Sequence, residues 1–131
     1  MAYDYQLSVI LPAQPVTVYR AWMSSEGHTA MTGAIATVDP REGGAFTAWD
    51  GYIAGRTVSL EPGQRIVQTW RTSEFADSDP DSEITVLLEP VEGGCLLTLL
   101  HFNVPDGQVG YEQGGWQESY FDPMTEYFSR R

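Results

Sequence analysis

Gly114-Gly115-Trp116-Gln117-Glu118-Ser119-Tyr120-Phe121-Asp122-Pro123-Met124-Thr125-Glu126-Tyr127-Phe128 is the stretch whose reading decides the fold. Trp116, Tyr120, Met124 and the pair Tyr127/Phe128 recur at the spacing of one face of a 3.6-residue helix. Glu118, Thr125, Glu126 and Ser129 fall off that stripe and can face water. Gly114 and Gly115 free the chain to turn into the helix. Arg130 and Arg131 close it, where cations suit the negative end of the helix dipole. Asp122-Pro123 is expected to bend or restart the helix, with Asp122 capping the segment from Pro123 onward.

Working outward, most of the chain alternates with a period of two. Strands are expected over 5–11, 34–38, 45–49, 56–60, 65–71, 82–89 and 95–104, separated by Gly-, Pro- and Asp-rich turns. Between the first two strands, Pro15 opens a short helix over 16–23. Ser24 or Ser25 caps a second over 26–32, which Gly33 ends. The order strand, two helices, six strands, long helix reads as one α+β domain over residues 1–131. Its antiparallel sheet curls around the C-terminal helix. In the last strand Cys95, Leu97, Leu99 and His101 oppose Leu96, Thr98, Leu100 and Phe102. Both sides are apolar, which hints at a homodimer.

Composition narrows the function classes. The chain has 131 residues, 42% of them hydrophobic, enough for a real core. A formal charge of −11, with every basic residue an arginine, disfavours nucleic acid and anionic membrane. No apolar run is long enough to span a bilayer. The N-terminus lacks a basic and apolar leader, and the one cysteine has no internal partner. A cytoplasmic location is expected.

Chemistry is sparse. Cys95 and His101 lie about 20 Å apart along a strand, too far to share a metal or form a dyad. His28 stands alone on its helix. The acidic loop from Asp77 to Glu83 has Ser82 where a calcium loop needs glycine and Leu88 where it needs glutamate. No metal, cofactor or catalytic residue is expected. The residues expected to line a hydrophobic cavity between sheet and helix are Phe46, Trp49, Trp70, His101, Trp116, Tyr120 and Met124. There His101, with Trp116 Nε1, the Tyr120 hydroxyl and Trp70, could orient an apolar ligand by its polar end. Arg56, Arg65 and Arg71 are expected on the outer sheet face, paired with carboxylates.

Several words in this order resemble a known family: Met31-Thr32-Gly33, Gly43-Gly44-x-Phe46-x-x-Trp49-Asp50-Gly51-Tyr52-Ile53-x-Gly55, Ile66-Val67-Gln68-x-Trp70-Arg71, His101-x-x-Val104-Pro105 and Gly115-Trp116-x-x-x-Tyr120-Phe121-x-Pro123-Met124. They are similar to the activator of heat-shock-protein-90 ATPase family, of the START-like (SRPBCC) helix-grip superfamily. The resemblance covers residues 7–128. It implies a sheet gripping the C-terminal helix around a hydrophobic cavity. It implies two roles: a non-enzymatic, stress-related co-chaperone of a heat-shock-protein-90-type chaperone, or a carrier or polyketide-cyclase-like enzyme for an apolar small molecule. In eukaryotic co-chaperones of this kind a separate N-terminal domain precedes this one, and much of the chaperone contact is attributed to it. The sequence is expected to supply only the C-terminal type of domain.

Overall fold

The computed structural model describes residues 2–105 and 114–130. The elements are β1 (Tyr3–Leu11), α1 (Pro15–Trp22), α2 (Ser25–Thr32), β2 (Thr37–Val38), β3 (Ala45–Ala48), β4 (Ile53–Glu61), β5 (Arg65–Thr72), β6 (Ser82–Val91), β7 (Gly94–Val104) and α3 (Asp122–Ser129). One seven-stranded sheet runs in the order β1-β7-β6-β5-β4-β3-β2, antiparallel throughout. It is a meander from β2 to β7, with β1 added beside β7. Short turns allow only this antiparallel pairing of neighbours. α1 and α2 carry the chain from one edge of the sheet to the other. No helix among the described residues is long and apolar enough to cross a membrane.

Alternation assigns the faces. In β7, Cys95, Leu97, Leu99 and His101 are buried, whereas Leu96, Thr98 and Leu100 are half-buried and Phe102 is exposed. Ser82, Ile84, Val86 and Leu88 of β6 share the inner side. Cys95, Leu97, Leu99, Ile84, Val86 and Leu88, with Trp22, Trp70, Trp116, Tyr120, Phe121, Met124 and Phe128, form one apolar core between sheet and helices. The expected sheet and terminal helix are thus both present, in the expected relation.

Local chemistry explains the boundaries. Pro15 occupies the first turn of α1, where its missing N–H costs nothing. Ser24 caps α2, its hydroxyl accepting from Gly27 N–H at 2.9 Å. Gly33 ends α2 at φ 84°, a left-handed value that glycine adopts without strain. β4 is longer than the expected 56–60 and carries an irregular register between Thr57 and Ser59. At Gly55 even a Cβ would lie 2.0 Å from the Thr69 carbonyl oxygen, so only glycine permits β4 to approach β5 there.

Three expectations need correction. The second strand is Thr37–Val38 and not 34–38. Upstream of it, Ala36 is held by α2: Thr29 Oγ1 accepts from Ala36 N–H at 2.9 Å and donates to its carbonyl at 3.3 Å. Ser25 Oγ treats Val38 in the same way, at 2.8 and 3.4 Å. Two helix hydroxyls therefore stand in for a neighbouring strand and cover this sheet edge. The strand 45–49 stops at Ala48. Trp49 and Asp50 take positive φ values of 52° and 59° and turn the chain back. Finally, Asp122 does not cap α3. Phe121 and Asp122 are both helical, and Asp122 N–H bonds Gln117 O in a π-helical turn over Gln117–Phe121. Pro123, lacking a donor and crowding the preceding turn, is accommodated by that wide turn. The extra residue lets Tyr120 and Phe121 both be buried. Arg130 pairs with Glu126, and Arg131 lies outside the described residues.

Candidate functional site beneath the C-terminal helix

The inner sheet face and the C-terminal helix meet in a cluster of rings. Trp70 of β5 lies 4.9 Å from Trp116, centroid to centroid, and 5.9 Å from Tyr120. Trp116 is 5.1 Å from Tyr120, and Phe46 of β3 is 5.7 Å from Trp70. These are contact distances for tilted or edge-on aromatic pairs. Met124 is buried in the same core. Trp49 sits half-buried at its margin, because the chain leaves β3 there. Five of the seven expected residues are thus buried in one apolar core, His101 is buried beside Trp116, and Trp49 borders the core.

Two hydrogen-bond networks hold the cluster. In the first, His101 Nε2 is 2.8 Å from Ser82 Oγ, and that hydroxyl donates to the Trp70 carbonyl at 2.5 Å. A serine hydroxyl has one proton, so His101 Nε2–H must donate to Ser82. His101 Nδ1 is then the acceptor. It lies 2.9 Å from the Tyr5 hydroxyl and 3.3 Å from Trp116 Nε1, and the indole also donates to Tyr5 Oη at 2.9 Å. Burial drives the His101 pKa down to about 3, partly opposed by Asp4. The imidazole is neutral and ties β7, β6 and β1 to the start of the C-terminal helix.

The second network centres on His28, which is isolated in the sequence. Its Nδ1 is 2.9 Å from the Trp22 carbonyl and must donate; its Nε2, 2.8 Å from the Tyr120 hydroxyl, must accept. Burial lowers its pKa to about 4, partly opposed by that carbonyl, and burial raises the Tyr120 pKa. Trp22 Nε1 donates to Gln68 Oε1 at 3.0 Å, and Gln68 Nε2 donates to Thr57 Oγ1 at 3.2 Å. The Tyr120 hydroxyl thus serves His28 and not His101, contrary to the grouping expected from sequence. A signal was present: His28, Met31 and Thr32 share one helical face at i, i+3 and i+4, and all three are buried.

Polar groups that could do chemistry are therefore few. The Trp70 and Trp49 indole nitrogens are buried with no partner among the described residues. Cys95 is buried, its thiol pushed up to about 11 by burial, which leaves it a poor nucleophile at neutral pH. The acidic loop before β6 is organised by an arginine: Arg71 donates to the carbonyls of Asp79 and Ala76, each at 2.7 Å, and pairs with Asp81 at 3.2 Å. Arg65 pairs with Glu61, but Arg56 bonds the Gly43 carbonyl instead of a carboxylate.

A curved antiparallel sheet whose inner face holds a C-terminal helix defines an α+β helix-grip domain. The family model described as Activator of Hsp90 ATPase homolog 1-like protein matches residues 12–129, and the chain belongs to that family. It is 27% identical over 117 residues to an activator of 90 kDa heat shock protein ATPase homolog from Dictyostelium discoideum, covering 88% of this chain and 30% of that protein. It is 28% identical over 114 residues to homolog 1 of the same activator from Homo sapiens, covering 87% and 33%. The chain thus spans about a third of the length of the curated relatives it matches. The crystal structure of an HSP90 activator from Plasmodium falciparum superposes with a TM-score of 0.87 at 22% identity, covering 97% of this chain and 96% of that one.

Proposed function

We propose that the protein acts as a co-chaperone module, binding a heat-shock-protein-90-type chaperone in the cytoplasm and modulating its ATPase. The chemistry of the interior supports a non-enzymatic role. Both histidines are neutral, each ring nitrogen has a partner, and the aromatic rings contact one another at 4.9 to 5.9 Å. The observation that carries the reading is this interior, engaged with itself, in a chain that matches Hsp90 activators over most of its length. Recognition then belongs to the outer surface. The test is the ATPase rate of the purified chaperone with and without the full chain. A saturable change in rate is expected; an unchanged rate across the titration would remove the reading.

A second reading has one observation in its favour. The buried Trp70 indole N–H, with no partner among the described residues, could serve an apolar ligand carrying an acceptor. In that reading Phe46, Trp49, Trp70, His101, Trp116, Tyr120 and Met124 line the ligand site of a carrier or cyclase-like enzyme. A screen of apolar ligands by thermal shift tests it, since a specific binder raises the melting temperature.

A further inference from the structure

The outer face of the sheet differs from the inner one in a way that selects a partner. Across β1, β7 and β6 the register aligns Ile10 with Leu96 and Glu89 in one row, and Phe102 with Glu83 in another. Leu100 lies between the two rows on the same face, half-buried. Ile10 is 61% exposed and Phe102 36%, high values for side chains of this size on a sheet. The helices pack on the opposite face, so none of the described helices covers this one. Over about 20 Å of β7 this face therefore reads Leu96, Thr98, Leu100 and Phe102, three apolar side chains and one threonine, with a β6 glutamate beside each end.

The charges there are single-signed. Arg65 and Arg71, the cations of neighbouring β5 on this face, are already engaged by Glu61 and Asp81. No ion pair among the described residues reaches Glu83 or Glu89. A second copy of the chain is a poor occupant: each brings a formal charge of −11, and stacking like faces would set carboxylate against carboxylate. What fits is an apolar ridge flanked by lysine or arginine.

We propose that the outer face of β1, β7 and β6 is the surface on which the chaperone docks, and that the chaperone meets it with an apolar ridge flanked by basic residues. The inference rests on the co-chaperone reading and names its contact surface. Ile10 and Phe102 supply the apolar anchors, and Glu83 and Glu89 steer and orient the approach.

The test titrates the purified chaperone against the full chain by fluorescence anisotropy, at low and at high salt. Four proteins are compared: wild type, Ile10→Asp/Phe102→Asp, Glu83→Gln/Glu89→Gln, and Ile35→Asp. Ile35 is exposed but lies in the α2–β2 connection, off this face. The anchor variant is expected to bind about tenfold more weakly, the scale of removing central apolar contacts. The charge variant, which leaves the apolar packing untouched, is expected to bind more slowly and to lose most of the salt dependence of wild type. Ile35→Asp is expected to bind as wild type does. If wild type binds but the anchor and charge variants match it, the surface is wrong and the co-chaperone reading stands. If wild type does not bind, both fall together. Sedimentation of wild type as a dimer that Ile10→Asp/Phe102→Asp dissolves would assign the face to a second copy and overturn the proposal.

Discussion

At the scale of single residues, the decisive groups are the two neutral histidines. His28 accepts from Tyr120, and His101 accepts from Tyr5 and Trp116 while donating to Ser82. Tyr120→Phe removes the hydroxyl bonded to His28 Nε2 and leaves that acceptor buried; a loss of about 1–2 kcal/mol in urea unfolding is expected. The double change His28→Leu/Tyr120→Phe should cost less than the sum of the single changes, because the two residues act as a pair. The pH dependence arises from the same burial. Folded pKa values of about 4 for His28 and about 3 for His101 lie below the ordinary value of 6.5. Below pH 6.5 the unfolded chain takes up protons that the folded chain refuses, so this stability is full above 6.5 and is lost as pH falls toward 4 and 3. Each histidine contributes a slope of up to about 1.4 kcal/mol per pH unit. Urea midpoints between pH 6.5 and 5 should therefore fall more steeply for wild type than for His28→Asn/His101→Gln; parallel slopes would refute the assignment. In sequence, alternation grouped His101 with Cys95, Leu97 and Leu99, but both sides of that strand are apolar, so which side faces inward was settled only by the packing. Sequence did not reveal the partner of His28, because the His28–Tyr120 contact joins residues far apart in the chain and is set only when α2 packs on the terminal helix.

At the scale of elements, the terminal helix and β2 carry the lessons. The buried stripe of Trp116, Tyr120, Met124 and Phe128 was legible because helical periodicity survives tertiary context when it repeats over three turns. The π-helical turn was not, since Pro123 signals a disturbance without saying whether the chain bends or widens. β2 was overestimated because residues 34–38 alternate with a period of two, as their burial still does, yet Ala36 takes its hydrogen bonds from Thr29. Those hydroxyls make an element-level prediction. Ser25→Ala/Thr29→Val would leave the N–H and C=O groups of Val38 and Ala36 unpaired and uncover the edge. A loss of about 2–4 kcal/mol in chemical unfolding is expected, together with a rise in light scattering on warming as exposed edges pair between molecules. Unchanged scattering and stability would mean that the hydroxyls are not what covers the edge.

At the scale of the whole molecule, the order of elements was enough to read an α+β domain with an antiparallel sheet around the terminal helix, because each short turn permits only one kind of neighbour, whereas the helix-grip architecture was implied by the family resemblance. Function was less legible, because the same aromatic residues serve equally as core and as cavity lining until their mutual distances are known. Those distances direct attention outward, to a largely apolar surface with a glutamate beside each end. The interior stabilises the domain, and the outer sheet face is the surface proposed to recognise the chaperone. The most direct measurement is a nitrogen–proton NMR titration of the labelled full chain with unlabelled chaperone, following backbone amides and the four tryptophan indoles. Early loss or shift of signals from Ile10, Leu96, Leu100 and Phe102 is expected, with the Trp70 and Trp116 indole signals perturbed last. Perturbation confined to those two indoles, or no perturbation at all, would contradict the proposed surface.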